Sequence, residues 1–545
     1  MTTNLHDLTL AEAAALIRGK KLSPVELTEA LLARIKEFDS DLNAFITVTE
    51  DKARSQALKA EQKIAKGDYK GPLHGIPIGL KDIYDTAGIL TTAHSKVYDK
   101  RVPNKDATTV TKLFDAGAVL MGKLATQECA NGGPSVDLPW PPARNPWHPD
   151  HNTGGSSSGS GAAVAAGMVM GATGTDTGGS IRNPAAMCGI AGIKPTYGRV
   201  SRFGVIPNTY CFDNCGPLAW TVEDCTLMLQ TLAGYDPLDP ASSNEPVPDY
   251  SVSLNQSIKG LRVGVLRYFW EEEMPNEIVA ANMDDALKVL QDLGAVLEDV
   301  RLHPLRNYTD VKLGTNVPEI FSVHRKNMVE RLDDFGDHMV SRAIPACLLS
   351  SDDYVNAQRH RQQLLEAAKP VYKKYDVLIA PGQPSGPAPR FDQYSFPTLD
   401  KDNFTTPFNV LGNPVVNICS GFADNDLPVS IQIIGKPFDE LTAIKAAHAY
   451  EQATSWRDKR PSLPLVVKPG PLPKESFPIP EIFLSEEEQT LVRVSAKRAG
   501  LTLNERQFKI LCAVAGSAWS LSDRLRLDYG MGEEPANTFH LAPIS

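Results

Sequence analysis

The chain lacks any run of about 18 apolar residues, which excludes a membrane-spanning helix. It lacks a positive excess. Fifty-five Lys and Arg stand against 65 Asp and Glu, for a net charge of −10, so no broad basic field exists to hold a nucleic-acid backbone or an anionic membrane. Cysteine is sparse: eight in 545 residues, with no CxxC pair and no regular framework. Reduced thiols, and hence a cytoplasmic location, are the expectation. The opening MTTNLHDLTLAEAAALIRGKK has no basic leader followed by an apolar core, so no signal peptide is expected. No period of 20 to 50 residues recurs, which excludes a solenoid.

What is present is ordinary globular material, 42% hydrophobic and 22% charged. Ser23, Pro24 and Glu26 form a helix start, and Leu27, Leu31, Leu32 and Ile35 follow at helical spacing. Strands are expected at NAFITV, GIPIGLK, AVLMG, VMGATGTD, LRVGVL, AVLEDV, YDVLIAP, PVVNIC and VSIQIIG, with helical segments between them. This alternation predicts an α/β fold around a mixed, largely parallel sheet with helices on both faces. PSLPLVVKPGPLPKESFPIP is a proline-rich connector, and two further helices are expected after it. The division expected is a main domain over 1–470, with N-terminal helices in 1–70 and a motif core in 71–225, and a helical appendage over 471–545.

Residues 151–167, HNTGGSSSGSGAAVAAG, invite three readings. A flexible linker belongs at a domain edge, whereas this run continues into apolar, strand-forming sequence. A phosphate-binding P-loop needs Lys then Ser or Thr after its glycines, and none follows. A nucleophile elbow, G-x-S-x-G, is matched by Gly155–Gly159 with Ser157 at its centre. A true elbow needs a strand directly before it, and NPWHPDHNT reads as loop.

The second glycine-serine stretch, TDTGGSIRNPA, carries more chemistry. Consecutive amides of Thr177, Gly178, Gly179 and Ser180 can line a concave nest for an oxyanion, with Ser180 placed to attack what the nest polarises. No histidine lies inside these motifs; the nearest are His148 and His151. Lys81, at the end of a buried strand, is the base of choice, because desolvation disfavours its ammonium form. His148, Asp150 and His151 read as a polar loop in preference to a metal site, Asp176 and Arg182 as braces of the nest, and Cys129 and Cys188 as small packing residues.

GIPIGLKD, NPW, GGSSSGSGAAVAAG, GTDTGGSIRNPAA and GIKPTYGRVSRFGV together resemble the amidase signature hydrolases. Weaker similarity runs from about residue 8 to 465. By that resemblance Ser180 is the nucleophile, Ser156 the bridge and Lys81 the base. The oxyanion hole is then made by the amides of residues 177–180, and Ser156 follows a non-proline cis peptide bond. Ala130 is implied in the acyl pocket. Two stretches depart from the family pattern. Ser158 replaces a glycine, which is harmless if it caps the following helix, and GKLATQECANGGPS alters a substrate wall. The implied activity is hydrolysis of a small-molecule or aryl amide through an acyl-enzyme, with no metal or organic cofactor and with a homodimer by analogy. The alternatives are the glutaminase-type subunit of a tRNA-dependent amidotransferase and a non-catalytic scaffold.

Overall fold

The computed structural model describes residues 4–383 and 386–536. The N-terminal helix begins as its capping residues dictate. The Ser23 hydroxyl accepts from the amides of Val25 and Glu26, and Pro24 occupies the first helical position. It runs to Leu42, where Asn43 closes it in the left-handed conformation at φ 52°.

Among the described residues thirteen strands form in chain order: β1 (Phe45–Val48), β2 (Pro77–Lys81), β3 (Val119–Leu124), β4 (Arg144–Asn145), β5 (His148–Asn152), β6 (Gly171–Asp176), β7 (Ala191–Lys194), β8 (Asn214–Ala219), β9 (Arg262–Val265), β10 (Val296–Asp299), β11 (Val377–Pro381), β12 (Val415–Phe422) and β13 (Pro428–Ile434). Eleven of them make one sheet, ordered β1-β3-β2-β6-β8-β7-β12-β13-β11-β9-β10. Parallel pairing holds two blocks, β3-β2-β6 and β11-β9-β10. The strands between these blocks pair antiparallel, so the sheet is mixed, as the α/β pattern required.

Central strand β6 is buried along its whole length. Its glycines show helices on both faces. A side chain on Gly171 would meet Met228 of the helix Val222–Leu232, whereas one on Gly174, on the opposite face, would meet Ser157 and Ile181. The helix Ser158–Ala165 is buried at every residue. Any side chain on Gly159 would strike the Ala44 carbonyl and the Ala125 amide, and one on Gly161 would crowd Pro184 and Cys188. The small-residue run is therefore a packing requirement, not a linker. Ser158 is the first residue of that helix, and Ser157 takes the capping position without a side-chain cap bond. The expected cap at Ser158 is absent.

Two further expectations are corrected. The segment before the glycine-serine run is not loop: β4 and β5 pair there as a short hairpin outside the main sheet. Helices form at Glu50–Ala65, inside the expected N-terminal helical segment, and at Leu305–Arg331, where the sequence reading placed none. The second carries Pro318 in its interior and shows no single apolar stripe, since it is buried on several sides.

The appendage forms the helices Glu486–Arg498 and Glu505–Leu525. They pack against Leu305–Arg331, Asp337–Ala343 and Ser351–Lys374. Arg524 meets both Asp310 oxygens at 2.8 Å, Arg506 meets Asp337 and Ser522 meets Asp353 at 2.6 Å. Among the described residues no helix is long and apolar enough to cross a membrane.

Candidate active site

Lys81 is the last residue of β2, and the fold buries it completely. Its amide donates to Thr173 Oγ1 on neighbouring β6, which fixes the lysine across the sheet. The side chain then ends 2.7 Å from Ser156 Oγ and 2.8 Å from Thr175 Oγ1. Burial pushes the ammonium down to about 7, against the opposing pull of the Asp213 and Asp176 carboxylates. A lysine with that value is substantially neutral at physiological pH.

Ser156 is held from behind. Its carbonyl accepts from Gln127 N at 2.9 Å, Thr126 Oγ1 at 2.8 Å and Ser158 N at 2.9 Å. The Gly155–Ser156 peptide is cis, in keeping with the resemblance. The next residue joins the two glycine-serine loops: Ser157 N donates to the Ser180 carbonyl at 3.3 Å. Ser157 is itself buried, with Oγ 3.3 Å from Thr175 N, so the apparent elbow serine serves the sheet and not the cavity.

Beyond β6 the chain turns through Thr177–Ser180 into the helix Arg182–Cys188. Gly179 sits at φ 132°, a region that favours glycine. The Asp176 carboxylate anchors the turn. It accepts from Gly179 N at 2.8 Å and Ile181 N at 3.1 Å, and from the Arg182 guanidinium at 2.9 and 3.0 Å. Burial opposes its ionisation, but the Arg182 charge and hydrogen bonds outweigh burial and hold the carboxyl well below the usual range. Asn409 bonds both partners. Asp176 and Arg182 thus brace the nest, as expected. The Gly179 N–H is committed to Asp176, whereas the amides of Gly178 and Ser180 have no internal partner among the described residues.

Ser180, Thr177, Gly178, Gly155 and Ala130 line one cavity of about 540 Å³, within the range of small-molecule sites. Ala130 reaches it with positive φ, 59°, and its carbonyl accepts from Asn208 Nδ2 at 2.6 Å. His148, Asp150 and His151 lie elsewhere. Asp150 takes the Gly470 amide and stands 3.7 Å from Arg144, and His151 Nδ1 meets the Ala388 carbonyl. Cys129 and Cys188 are buried, and burial pushes both thiols up.

Some residues around Lys81 and in the cavity escaped the sequence reading. Thr175, the second partner of Lys81, stands inside a quoted motif but carries no spacing signal of its own. Lys312 and Arg342 line the same cavity from helices distant in sequence. Nothing in the local sequence distinguishes them from surface cations.

The Amidase family's sequence profile matches residues 26–443. A glutamyl-tRNA(Gln) amidotransferase subunit from Geobacter metallireducens is 39% identical over 486 residues, covering 84% of this chain and 99% of that protein. The peptide amidase of Stenotrophomonas maltophilia superposes with a TM-score of 0.73 at 30% identity, covering 83% of this chain and 98% of that one. A bacterial aryl acylamidase of the amidase signature family superposes with a TM-score of 0.76 at 27% identity, covering 84% and 98%. The buried lysine, the serine beside it and the braced glycine turn all lie inside the matched region, and the chain belongs to the amidase signature family.

Proposed function

We propose that this protein hydrolyses the C–N bond of a small amide through an acyl-enzyme on Ser180. The observation that carries the reading is a fully buried Lys81 whose amine lies 2.7 Å from Ser156 Oγ. Neutral Lys81 takes the Ser156 proton, and Ser156 takes the Ser180 proton. Ser180 Oγ then attacks the carbonyl carbon, and the oxyanion faces the turn amides. With Gly179 N–H held by Asp176, the amides of Gly178, Ser180 and Thr177 are the donors assigned to it. One such donor is worth roughly 3–4 kcal/mol in the transition state. The relay returns its proton to the nitrogen, the C–N bond breaks and the amine leaves. Water attacks the ester carbonyl and passes its proton back along the same path. Ser180 then departs protonated. No step draws on a cofactor.

All eight cysteines are free, which suits a reducing cytoplasm. Ser180→Ala is expected to lose both turnover and labelling by a serine-directed fluorophosphonate. Labelling that persists in that variant refutes the assignment.

A second reading has its own support. Relatives 39% identical are named as amidotransferase subunits. On that reading the amide is glutamine and the ammonia passes to a partner. Glutaminase activity that rises on adding a partner protein would favour it; a preference for other amides without a partner favours the free-standing hydrolase.

A further inference from the structure

The peptide unit between Gly178 and Gly179 is held at both ends. The Gly179 N–H donates to Asp176 Oδ1 at 2.8 Å, and the Gly178 carbonyl accepts from Thr405 Oγ1 at 2.6 Å. Thr405 is fully buried, and it lies behind the turn and not in the lining of the cavity. Its own carbonyl accepts from Arg182 Nη1 at 2.9 Å, and the same guanidinium holds Asp176. The links close a ring. It runs from Arg182 to Thr405, on to Gly178, along the peptide to Gly179, and back through Asp176 to Arg182.

The Thr405 hydroxyl has one proton, and two acceptors stand within its reach, Gly178 O at 2.6 Å and Asn403 Oδ1 at 2.9 Å. Asn403 Oδ1 already accepts from the amides of Thr405 at 3.0 Å and Thr406 at 2.8 Å, which occupy its two lone pairs. The Gly178 carbonyl has no other donor among the described residues. The proton therefore goes to Gly178. The bland reading, that Thr405 caps the short helix Pro407–Val410, fails on position, because Thr406 is the N-cap there and no side chain caps it. Thr405 also presses on the turn itself: a side-chain carbon on Gly179 would stand 2.5 Å from its Oγ1.

We infer that Thr405 is a positioning residue for the oxyanion turn, its hydroxyl holding the Gly178 carbonyl back so that the amides of Gly178 and Ser180 face the reacting oxygen. This rests on the Ser180 hydrolase reading. A trans peptide points its C=O and N–H in opposite directions, and glycine on both sides leaves this one free to swing. Without the hydroxyl only the Asp176 end is held. A swing that brought the Gly178 oxygen toward the cavity would set the negative end of a dipole against the developing oxyanion and pull the adjoining amides out of line.

A fluorophosphonate bearing a fluorophore tests this without knowledge of the amide. Ser180 Oγ bonds to phosphorus, the P–F bond breaks and fluoride leaves. The serine proton passes through Ser156 to Lys81, and the phosphoryl oxygen takes the place of the oxyanion. Labelling at several probe concentrations separates the binding constant KI from the rate constant kinact. Thr405→Val removes the hydroxyl at nearly constant volume. It is expected to lower kinact about tenfold or more, short of the roughly 10²–10³-fold that follows loss of a whole oxyanion donor, with KI within about twofold of the parent. Thr405→Ser, which keeps the hydroxyl, should regain most of the rate. Thr405→Ala, with the same fall expected, answers the question if the valine variant does not fold. An unchanged kinact in a folded valine or alanine variant, a loss confined to KI, or a serine variant as slow as the valine one would each overturn the proposal. Each would mean that Thr405 only packs. The two readings fail separately. A parent protein that takes no label at Ser180 sinks the hydrolase and this inference with it. A labelled parent whose Thr405→Val variant labels as fast sinks the role of Thr405 alone.

Discussion

Asp176 and Arg182, both fully buried, meet through two contacts of 2.9 and 3.0 Å across the turn that holds Ser180. The pair is a structural anchor for the turn that carries the proposed nucleophile. It holds Gly179 N–H, and through that amide it sets which backbone donors remain for chemistry.

Removing one partner leaves the other charge stranded. Asp176→Asn is expected to destabilise the fold by about 3–5 kcal/mol, the usual cost of breaking a buried pair, measured by urea unfolding. Activity should fall with it, since the turn loses its acceptor. A variant as stable as the parent would show that the brace is dispensable.

The same carboxylate sets a sign for acid stability. Its folded-state proton affinity is depressed, so its contribution is fully present above the unfolded value of 3.8 and is lost as pH falls through the folded value. Asp176→Asn should therefore differ most from the parent near neutral pH and least in strong acid. Unfolding curves taken across the acid range check this.

Lys81 is shifted the same way for a different reason, since burial disfavours its charged form. The base must be neutral, so kcat/KM should rise with pH through an inflection near about 7. Because this lysine is held below its ordinary 10.5, folding stability should also climb as pH rises between those two values. Lys81→Met is expected to lose at least about 10³-fold in rate, in the range of general acid–base contributions, while unfolding no earlier than the parent at neutral pH. A flat pH profile would argue against a lysine base.

Ser157 is the decoy. Its hydroxyl is buried against Thr175, so Ser157→Ala should cost about 1 kcal/mol of stability, typical of one buried hydrogen bond, and still take fluorophosphonate at Ser180. Peptide mapping that finds the label on 157 in the parent protein would reverse the assignment.

The appendage should matter for stability. Arg524 is partly exposed while Asp310 is buried, so Arg524→Ala is expected to cost about 1–2 kcal/mol, discounted for solvent on the arginine side. Cutting the chain after residue 470 would remove Ile510, Leu511, Val514 and Leu525, all buried, and bare the apolar face they cover. Light scattering of that truncated protein should report aggregation.

The local elements that build this site were legible because short-range rules make them. Ser23 and Pro24 start a helix, alternating Gly and apolar residues make β2, and glycine at 179 answers a positive φ. The small residues of 158–165 likewise read as tight packing, which their burial explains. The long helix Leu305–Arg331 was not legible, because burial on several sides erases the apolar stripe that marks a helix in sequence.

What the sequence determined by itself was the chemical vocabulary: two glycine-serine turns, a lysine ending a buried strand, and no metal-binding or basic pattern to compete with them. Only the tertiary structure decided which groups meet. The last residue of β2 and the turn before the helix Ser158–Ala165 meet, so a lysine and a serine 75 positions apart come within 2.7 Å. Folding also buried that lysine enough to push its ammonium down to about 7, and set Lys312 and Arg342, from distant helices, in the cavity that Ser180 lines. The reason is physical. Local backbone preference is written in neighbouring residues, whereas desolvation and charge pairing depend on what the rest of the chain places around a group.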